Sequence, residues 1–141
     1  MEQAIIKMKF SPKLFKELVH FQVELNSIPA GDLQSRDITV NWKMYGGFDP
    51  NDTFFTDSNG LEMQKRAIDH YDRYQFKGRE SRIPRNFYPV NGAIAMRDAN
   101  GSSIQLTIIN DRPQGGSADL SDQSTIELMQ NRRLMQSDPR N

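Results

Sequence analysis

The chain contains no cysteine, and this absence removes several kinds of chemistry at once. Without thiols the protein forms no disulfide framework, no thiolate metal site and no cysteine nucleophile. Long apolar runs are missing as well, and none approaches the roughly 20 residues that a membrane-spanning helix needs. The sequence therefore predicts no membrane partner.

Large apolar residues are scarce. Leu, Ile, Val and Phe number 9, 11, 4 and 8 among 141 residues, about 23%, which lies just above the roughly 20% below which chains tend to stay disordered. The mean hydropathy is -0.71. Lys and Arg balance Asp and Glu at 18 each, so self-repulsion does not oppose folding. The composition predicts a folded chain with a thin core, as expected for a piece of a larger domain.

The zero net charge also argues against nucleic acid as a partner. Residues 65–85 hold seven Lys or Arg against three Asp or Glu, with Tyr71, Tyr74 and Phe76 between them. This mixture resembles a nucleic-acid patch, but phosphate binding usually needs a basic domain. We predict no nucleic-acid partner and interpret the segment as a solvated loop or as an interface to an acidic neighbouring domain.

Alternation of apolar and polar residues predicts half-buried strands at residues 19–25 and 37–44. Further short strands are predicted at residues 54–56, 93–97, 103–109 and 125–130. The two middle ones flank Asp98-Ala99-Asn100-Gly101-Ser102 and form a hairpin with Asn-Gly at its tip. A short helix that begins at Ser11-Pro12 is an alternative for the residues leading into the first predicted strand. The fold class is mainly β with little helix, an antiparallel β-sandwich.

Candidate metal ligands are few. The only histidines are His20 and His70, and the second lies beside Asp69 and Asp72. A catalytic zinc normally takes three protein ligands, so we predict no metal site in this chain. Carboxylates are scattered through the predicted turns, where Asp57 is expected to accept backbone N–H bonds and not to act as half of a catalytic pair.

Five segments, in this order and spacing, resemble one known family. They are residues 27–32, 54–63, 86–91, 106–117 and 126–134. The most telling are Asn110-Asp111-Arg112-Pro113-Gln114-Gly115-Gly116-Ser117 and the later Asn131-Arg132-Arg133-Leu134. Together they resemble the C-terminal β-domain of the family 38 glycoside hydrolases, the retaining α-mannosidases, and most of all their lysosomal branch. The resemblance covers roughly residues 20–140.

This resemblance implies that residues 1–141 are a single fragment of that β-sandwich domain, part of a mutarotase-like super-sandwich, with the catalytic domain absent. The whole enzyme would hydrolyse terminal α-linked mannose from glycoprotein N-glycans in the lysosome or secretory pathway. Its cofactor, zinc, and its catalytic carboxylates belong to the missing catalytic domain. No residue here receives a catalytic role, and the fragment alone is expected to be inactive and to bind no cofactor.

The expected partners are therefore the catalytic domain of the same protein and its oligosaccharide substrate. Six residues are predicted to lie near the substrate or at the domain interface: Gly115, Gly116, Arg132, Arg133, Asp138 and Arg140. Only one of the adjacent arginines 132 and 133 can face a given interface, because neighbouring strand residues point to opposite sides. An arginine fork suits a carboxylate or sugar hydroxyls.

Each of these site predictions has a plainer alternative. The arginines could instead form a salt bridge within the β-domain, to Glu127 or Asp138. The stretch Gln114-Gly115-Gly116-Ser117 is predicted as a loop whose glycines admit another chain segment, and its alternative is an ordinary connection between strands. The chain as a whole could also be a free-standing carbohydrate-binding sandwich, or a structural interaction module, without hydrolase activity.

Two N-glycosylation sequons complete the candidate sites. They are Asn51-Asp52-Thr53 and Asn100-Gly101-Ser102, and the second falls at the predicted hairpin tip. About one sequon is expected by chance in a chain of this composition. Asn51 and Asn100 are therefore acceptors only if the protein enters the secretory pathway.

Overall fold

The computed structural model describes residues 4–10, 18–26, 35–70, 85–118 and 124–134. These residues are mainly strands with almost no helix, which confirms the predicted fold class. The chain divides into two compact units, residues 36–133 and residues 1–35 with 134–141.

Ten strands are present in the described residues. Their bounds are β1 Ala4–Phe10, β2 Val19–Leu25, β3 Arg36–Lys43, β4 Thr53–Ser58, β5 Glu62–Ala67, β6 Tyr88–Val90, β7 Ala93–Arg97, β8 Gln105–Ile109, β9 Gln114–Ala118 and β10 Thr125–Arg133.

The smaller unit contains the antiparallel hairpin β1–β2, in register from Ala4 opposite Leu25 to Phe10 opposite Val19. Strand β2 confirms the prediction for residues 19–25, whereas the alternative helix falls largely on residues outside the described part. Strand β1 was not predicted, although the alternation of apolar residues with Lys7 and Lys9 is typical of a strand.

The larger unit is built from two four-stranded antiparallel sheets. One has the order β3-β10-β9-β6 and the other β5-β4-β7-β8. Their facing sides, with Phe48 from the connection between β3 and β4, supply one apolar core: Phe48, Phe54, Val90, Ile94, Met96, Ala118, Ile126 and Leu128. Because both sheets contribute, this unit has the predicted sandwich packing. The hairpin β7–β8 and the strand β3 lie where the sequence places them.

Consecutive strands of the larger unit run in opposite directions, so its connections gather at two ends. We call the end with residues 44–52 and 98–104 the sequon end. The opposite end holds residues 59–61, 91–92 and 110–113, together with the start of β3 and the finish of β10. We call it the arginine end, after the arginines that β3 and β10 carry there.

The Gly-Gly stretch is not a loop, and this prediction was wrong. Gln114–Ala118 forms strand β9, which pairs with β10 on one side and with β6 on the other. A Cβ on Gly116 would lie 2.6 Å from Val90 Cγ2 and 3.1 Å from both Ile94 Cδ1 and Leu128 Cδ2. Gly116 thus leaves room for core side chains from both sheets. In the sequence, a Gly-Gly pair with this role resembles a loop.

Part of the charge-rich segment is also a strand. Residues 62–67 form β5, so the prediction of a solvated loop for residues 65–85 was wrong at its start. The guanidinium of Arg66 lies 4.5 Å from the ring centroid of Tyr88 in the other sheet. Its Nε donates a 3.0 Å hydrogen bond to the buried Thr56 hydroxyl. An arginine thus stacks on an aromatic ring across the two sheets.

Candidate interface at the arginine end

A β-bulge in β10 decides which way each of the paired arginines points. Met129 lies opposite Thr39 and Asn131 lies opposite Ile38, so Gln130 is an extra residue without a counterpart in β3. A bulge shifts the alternation of side chains by one position. The predicted strand 125–130 therefore continues to residue 133, with its two halves out of phase.

Because of this shift, Arg133 lies on the side of the sheet that carries the core residue Leu128, and Arg132 lies on the other side. Arg133 is directly opposite Arg36 and half-buried, whereas Arg132 is opposite Asp37 and exposed. The prediction that the adjacent arginines face opposite sides is confirmed.

Arg132 has an acidic partner that the sequence did not indicate. Its Nε and Nη2 donate to Asp37 Oδ1 and Oδ2 at 2.8 and 2.9 Å, a two-pronged ion pair. The hydrogen bond from Arg132 holds the pKa of Asp37 below its ordinary value, and the same bond raises the pKa of Arg132. The alternative of a salt bridge within the β-domain holds for Arg132, with Asp37 as the acid and not Glu127; Asp138, the other acid considered, lies outside the described residues.

This ion pair is expected to contribute little to stability. Both side chains are more than a third exposed, and exposed pairs are typically worth up to about 1 kcal/mol. We expect Asp37→Asn or Arg132→Met to lower the free energy of unfolding in urea by less than about 1 kcal/mol, with the difference shrinking in high salt. A much larger, salt-independent loss would contradict this account.

The loop Asn110-Asp111-Arg112 adds a further arginine to this end. The Asn110 side-chain amide donates a 3.1 Å hydrogen bond to the carbonyl of Val90 and a second hydrogen bond to the carbonyl of Arg112. Arg112 is exposed, and its Nη2 lies 3.5 Å from Gln130 Oε1 at the bulge. The sequence pattern did not predict a role for Arg112 or Arg36, because the pairing of β3 with β10 is what brings Arg36 opposite Arg133.

Exposed aliphatic side chains lie at the same end. Leu61 and Ile109 are 87% and 75% exposed, and Met63 on β5 is 44% exposed. Arginine and methionine are enriched at protein interfaces, whose cores also depend on apolar area. The arginine end therefore has the composition of a docking surface.

A buried carboxylate fastens the turns of the arginine end together. Asp57 Oδ1 accepts N–H bonds from residues 91, 92 and 93 at 2.8, 3.0 and 3.2 Å, and its Oδ2 accepts one from Gly60 at 3.0 Å. The predicted turn-organising role of Asp57 is confirmed. Burial raises its pKa, but the backbone N–H bonds outweigh burial, so the pKa lies below the ordinary value.

The remaining predicted residues are distributed differently. Gly116 lies in the core and Gly115 at the edge of the Phe87 ring, so the structure does not bring either glycine to the tip of a loop. Asp138 and Arg140 lie outside the described residues. Asn51 and Asn100 are exposed at the sequon end.

Among the described residues, neither histidine belongs to a cluster of potential metal ligands. His20 is exposed on β2, and His70 is exposed and makes an isolated bridge with Ala67. In the described part of the chain, no three His, Asp or Glu side chains come together in a way that could hold a metal ion. The same residues include no helix long and apolar enough to cross a membrane.

Known proteins match this chain along most of its length. Residues 16–140 match the family described as Glycosyl hydrolases family 38 C-terminal domain. The lysosomal alpha-mannosidases of Felis catus and Homo sapiens are 36% and 35% identical over 130 residues, which is 91% of this chain and 12% of each relative. Alpha-mannosidase 2 of Drosophila melanogaster is 32% identical over 115 residues, 82% of this chain and 9% of the relative.

The chain thus spans about 12% of the length of the curated lysosomal relatives that it matches. Its mainly β architecture agrees with the described family domain. The match over residues 16–140 shows that this chain belongs to the family 38 glycoside hydrolases, in which it corresponds to the C-terminal domain.

Proposed function

We propose that residues 1–141 are a non-catalytic piece of the β-domain of a retaining, zinc-dependent α-mannosidase. The whole enzyme would remove terminal α-linked mannose from glycoprotein N-glycans in the lysosome or secretory pathway. Relatives named lysosomal alpha-mannosidase support this activity and location. The match to a C-terminal domain supports a position outside the catalytic domain.

In this proposal the arginine end docks against the catalytic domain, and Arg133 lies at one edge of the sugar pocket. The observation that carries it is the bulge, which turns Arg133 to the opposite side of the sheet from the ion-paired Arg132 and places it beside Arg36. A planar guanidinium can bind a carboxylate of the neighbouring domain or the hydroxyls of a sugar. Exposed Leu61 and Ile109 supply apolar contact area at the same end.

The chemistry itself is proposed to lie elsewhere. A retaining glycosidase needs two carboxyl groups about 5–5.5 Å apart across the scissile bond. Here Asp57 is occupied by four backbone N–H groups and Asp37 by Arg132. The described residues do not fit zinc, since no three potential ligands among them meet. No step of the reaction is therefore assigned to residues of this chain.

A chimaeric enzyme tests the proposal. Residues 16–140 would replace the corresponding segment of the human lysosomal relative, and turnover of an aryl α-mannoside would be measured beside the isolated chain. We expect turnover by the chimaera and none by the chain alone. Arg133→Met should lower kcat/KM by about tenfold or more, the size of a lost hydrogen bond to a charged group.

Arg132→Met is the matched control, because it removes the same group one position away on the opposite side of the sheet. Both variants should keep the far-ultraviolet circular dichroism of the parent chimaera. Turnover by the isolated chain would refute the placement of the chemistry. Equal activity of the two variants would refute the role of Arg133.

A second candidate function is carbohydrate binding without hydrolysis. On the side of the β5-β4-β7-β8 sheet that faces away from the core, the Arg97 guanidinium lies 5.2 Å from the Phe55 ring centroid. Arg97 Nε donates a 2.6 Å hydrogen bond to Gln105 Oε1, and the Gln105 amide nitrogen donates a 2.6 Å hydrogen bond to the Thr107 hydroxyl. Such a row of aromatic and polar groups could bind a sugar. Calorimetry with mannose oligosaccharides, comparing the chain with Phe55→Ala, tests this alternative.

A further inference from the structure

The two sequons lie side by side at the sequon end. The backbone N–H of Ala99 donates a 2.7 Å hydrogen bond to the carbonyl of Asp49, and the N–H of Asp49 donates a 2.9 Å hydrogen bond to Asp98 Oδ1. These bonds join the turn that carries Asn51 to the turn that carries Asn100. Both asparagines are exposed, so exposure does not distinguish them.

The Asn51 sequon is held in a tight turn. Asn51 and Asp52 have left-handed φ angles of 50° and 54°. Thr53 is half-buried and opens β4 opposite Ala67. Its hydroxyl and its N–H both donate to the carbonyl of Pro50, at 2.8 and 3.1 Å. The hydroxyl that makes the tripeptide a sequon is therefore engaged by the fold.

The Asn100 sequon lies in an exposed turn outside the strands. Asn100, Gly101 and Ser102 are all exposed and belong to no strand. The Ser102 hydroxyl donates to the carboxylate of Asp98, which also accepts backbone N–H bonds from Asn100 and Ser102. Local opening of such a turn disrupts few buried contacts, whereas opening the Asn51 turn disrupts the first pairing of β4.

The charge inside the tripeptide also differs. The middle residue is Asp52 in one sequon and Gly101 in the other, where the nearby carboxylate, Asp98, lies before the acceptor. The donor of N-glycosylation is a lipid-linked oligosaccharide diphosphate, so a carboxylate between the acceptor Asn and its hydroxyl residue repels it. This repulsion acts on the unfolded chain as well as on the folded one.

We propose that Asn100 is the N-glycan acceptor of this chain and that Asn51 remains unmodified. Glycosylation of Asn100 in the cell rests on the proposed secretory location. The reaction forms a bond between the Asn100 amide nitrogen and the anomeric carbon of the donor sugar. The bond from that carbon to the diphosphate breaks, the diphosphate leaves with the electron pair, and the amide nitrogen loses a proton to a base. The glycan then keeps the sequon end in solvent, opposite the arginine end.

Cell-free translation with endoplasmic-reticulum microsomes tests this site. The full chain would carry a cleavable secretion leader, so that import does not depend on the mannosidase proposal, and protease protection would verify import. We expect one glycan, removed by peptide-N-glycosidase. It should be absent from Asn100→Gln and from Ser102→Ala, and retained in the matched control Asn51→Gln.

Three results would overturn the proposal: an imported chain without glycan, a chain with two glycans, or a glycan that survives Asn100→Gln. Ser102→Thr adds an independent check, because a threonine at this position should raise the glycosylated fraction if Asn100 is the acceptor. An unchanged or lower fraction would also count against it. None of these results depends on catalytic activity, so they leave the proposed function to its own test.

Discussion

Gly116→Ala is expected to lower the free energy of unfolding by about 3 kcal/mol, the upper part of the range for overpacked cores. The new methyl group would lie 2.6 Å from Val90 Cγ2, far inside van der Waals contact. Val90 is fully buried and β-branched, so its side-chain torsion is restricted and it has little freedom to move away. Urea denaturation followed by circular dichroism measures the effect.

Gly115→Ala is the matched control on the same strand. Its added methyl group points to the other side of the sheet and meets the edge of the Phe87 ring at 3.3 Å. Phe87 is only half-buried and can shift by a few tenths of an ångström. Alanine lowers the conformational entropy of the unfolded chain, which offsets part of the cost of this close contact. The change in the free energy of unfolding should therefore stay within about 1 kcal/mol. Similar losses at both glycines would contradict the packing account.

A double-mutant cycle identifies the clash itself. Val90→Ala removes the methyl group that approaches Gly116 most closely. If this contact dominates, Gly116→Ala should destabilise the Val90→Ala background by clearly less than it destabilises the original chain, with a coupling of about 1 kcal/mol or more. Additive losses would show that the damage comes from Ile94, Leu128 or the backbone.

Asp57→Ala is the second large expected effect, with a loss of about 4 kcal/mol. It leaves four backbone N–H groups at the arginine end without their acceptor, and hydrogen bonds to charged groups are worth about 1.5–3 kcal/mol each with incomplete additivity. Asp57→Asn should cost about 2 kcal/mol, because its one oxygen can still accept from residues 91–93 while its NH2 group opposes the N–H of Gly60.

Glu62→Gln is the control for charge, since it neutralises an exposed carboxylate at the start of the adjacent strand β5. Its effect should stay within about 0.5 kcal/mol. Equal stability of Asp57→Asn and Glu62→Gln would mean that the Asp57 carboxylate does not hold these turns together.

The pH dependence of stability follows from the same group. The folded-state pKa of Asp57 is lowered, so its contribution is fully present above the unfolded aspartate pKa of about 3.9. It is lost as the pH falls through the lower folded-state pKa. Below about pH 4, we expect the free energy of unfolding to fall less steeply with decreasing pH in Asp57→Asn than in the original chain.

Local sequence signals predicted several elements of the larger unit correctly. The two-residue alternation before Trp42 predicts β3, and Asn-Gly between two apolar runs predicts the β7–β8 hairpin. Asp57 before a Ser-Asn-Gly turn predicts a carboxylate that accepts backbone N–H bonds. These features depend on residues close together in the chain, where backbone geometry and side-chain chemistry are read directly.

Other features depend on contacts between distant segments. Gly115 and Gly116 are part of a strand because β6 and β10 flank β9, although the same pair in isolation indicates a loop. The ion pair between Arg132 and Asp37 joins residues 95 positions apart.

By itself, the sequence determined the family, the β class and the turn chemistry, because these follow from ordered motifs and local periodicity. Only the tertiary structure decided that Arg132 faces away from the core and Arg133 lies on the core side of the sheet. The reason is that Gln130, which has no counterpart in β3, shifts the alternation of β10 by one residue. The tertiary structure also decided that both sequons share one end, opposite Arg133. Register and strand order arise from long-range pairing, which one-dimensional patterns constrain only weakly.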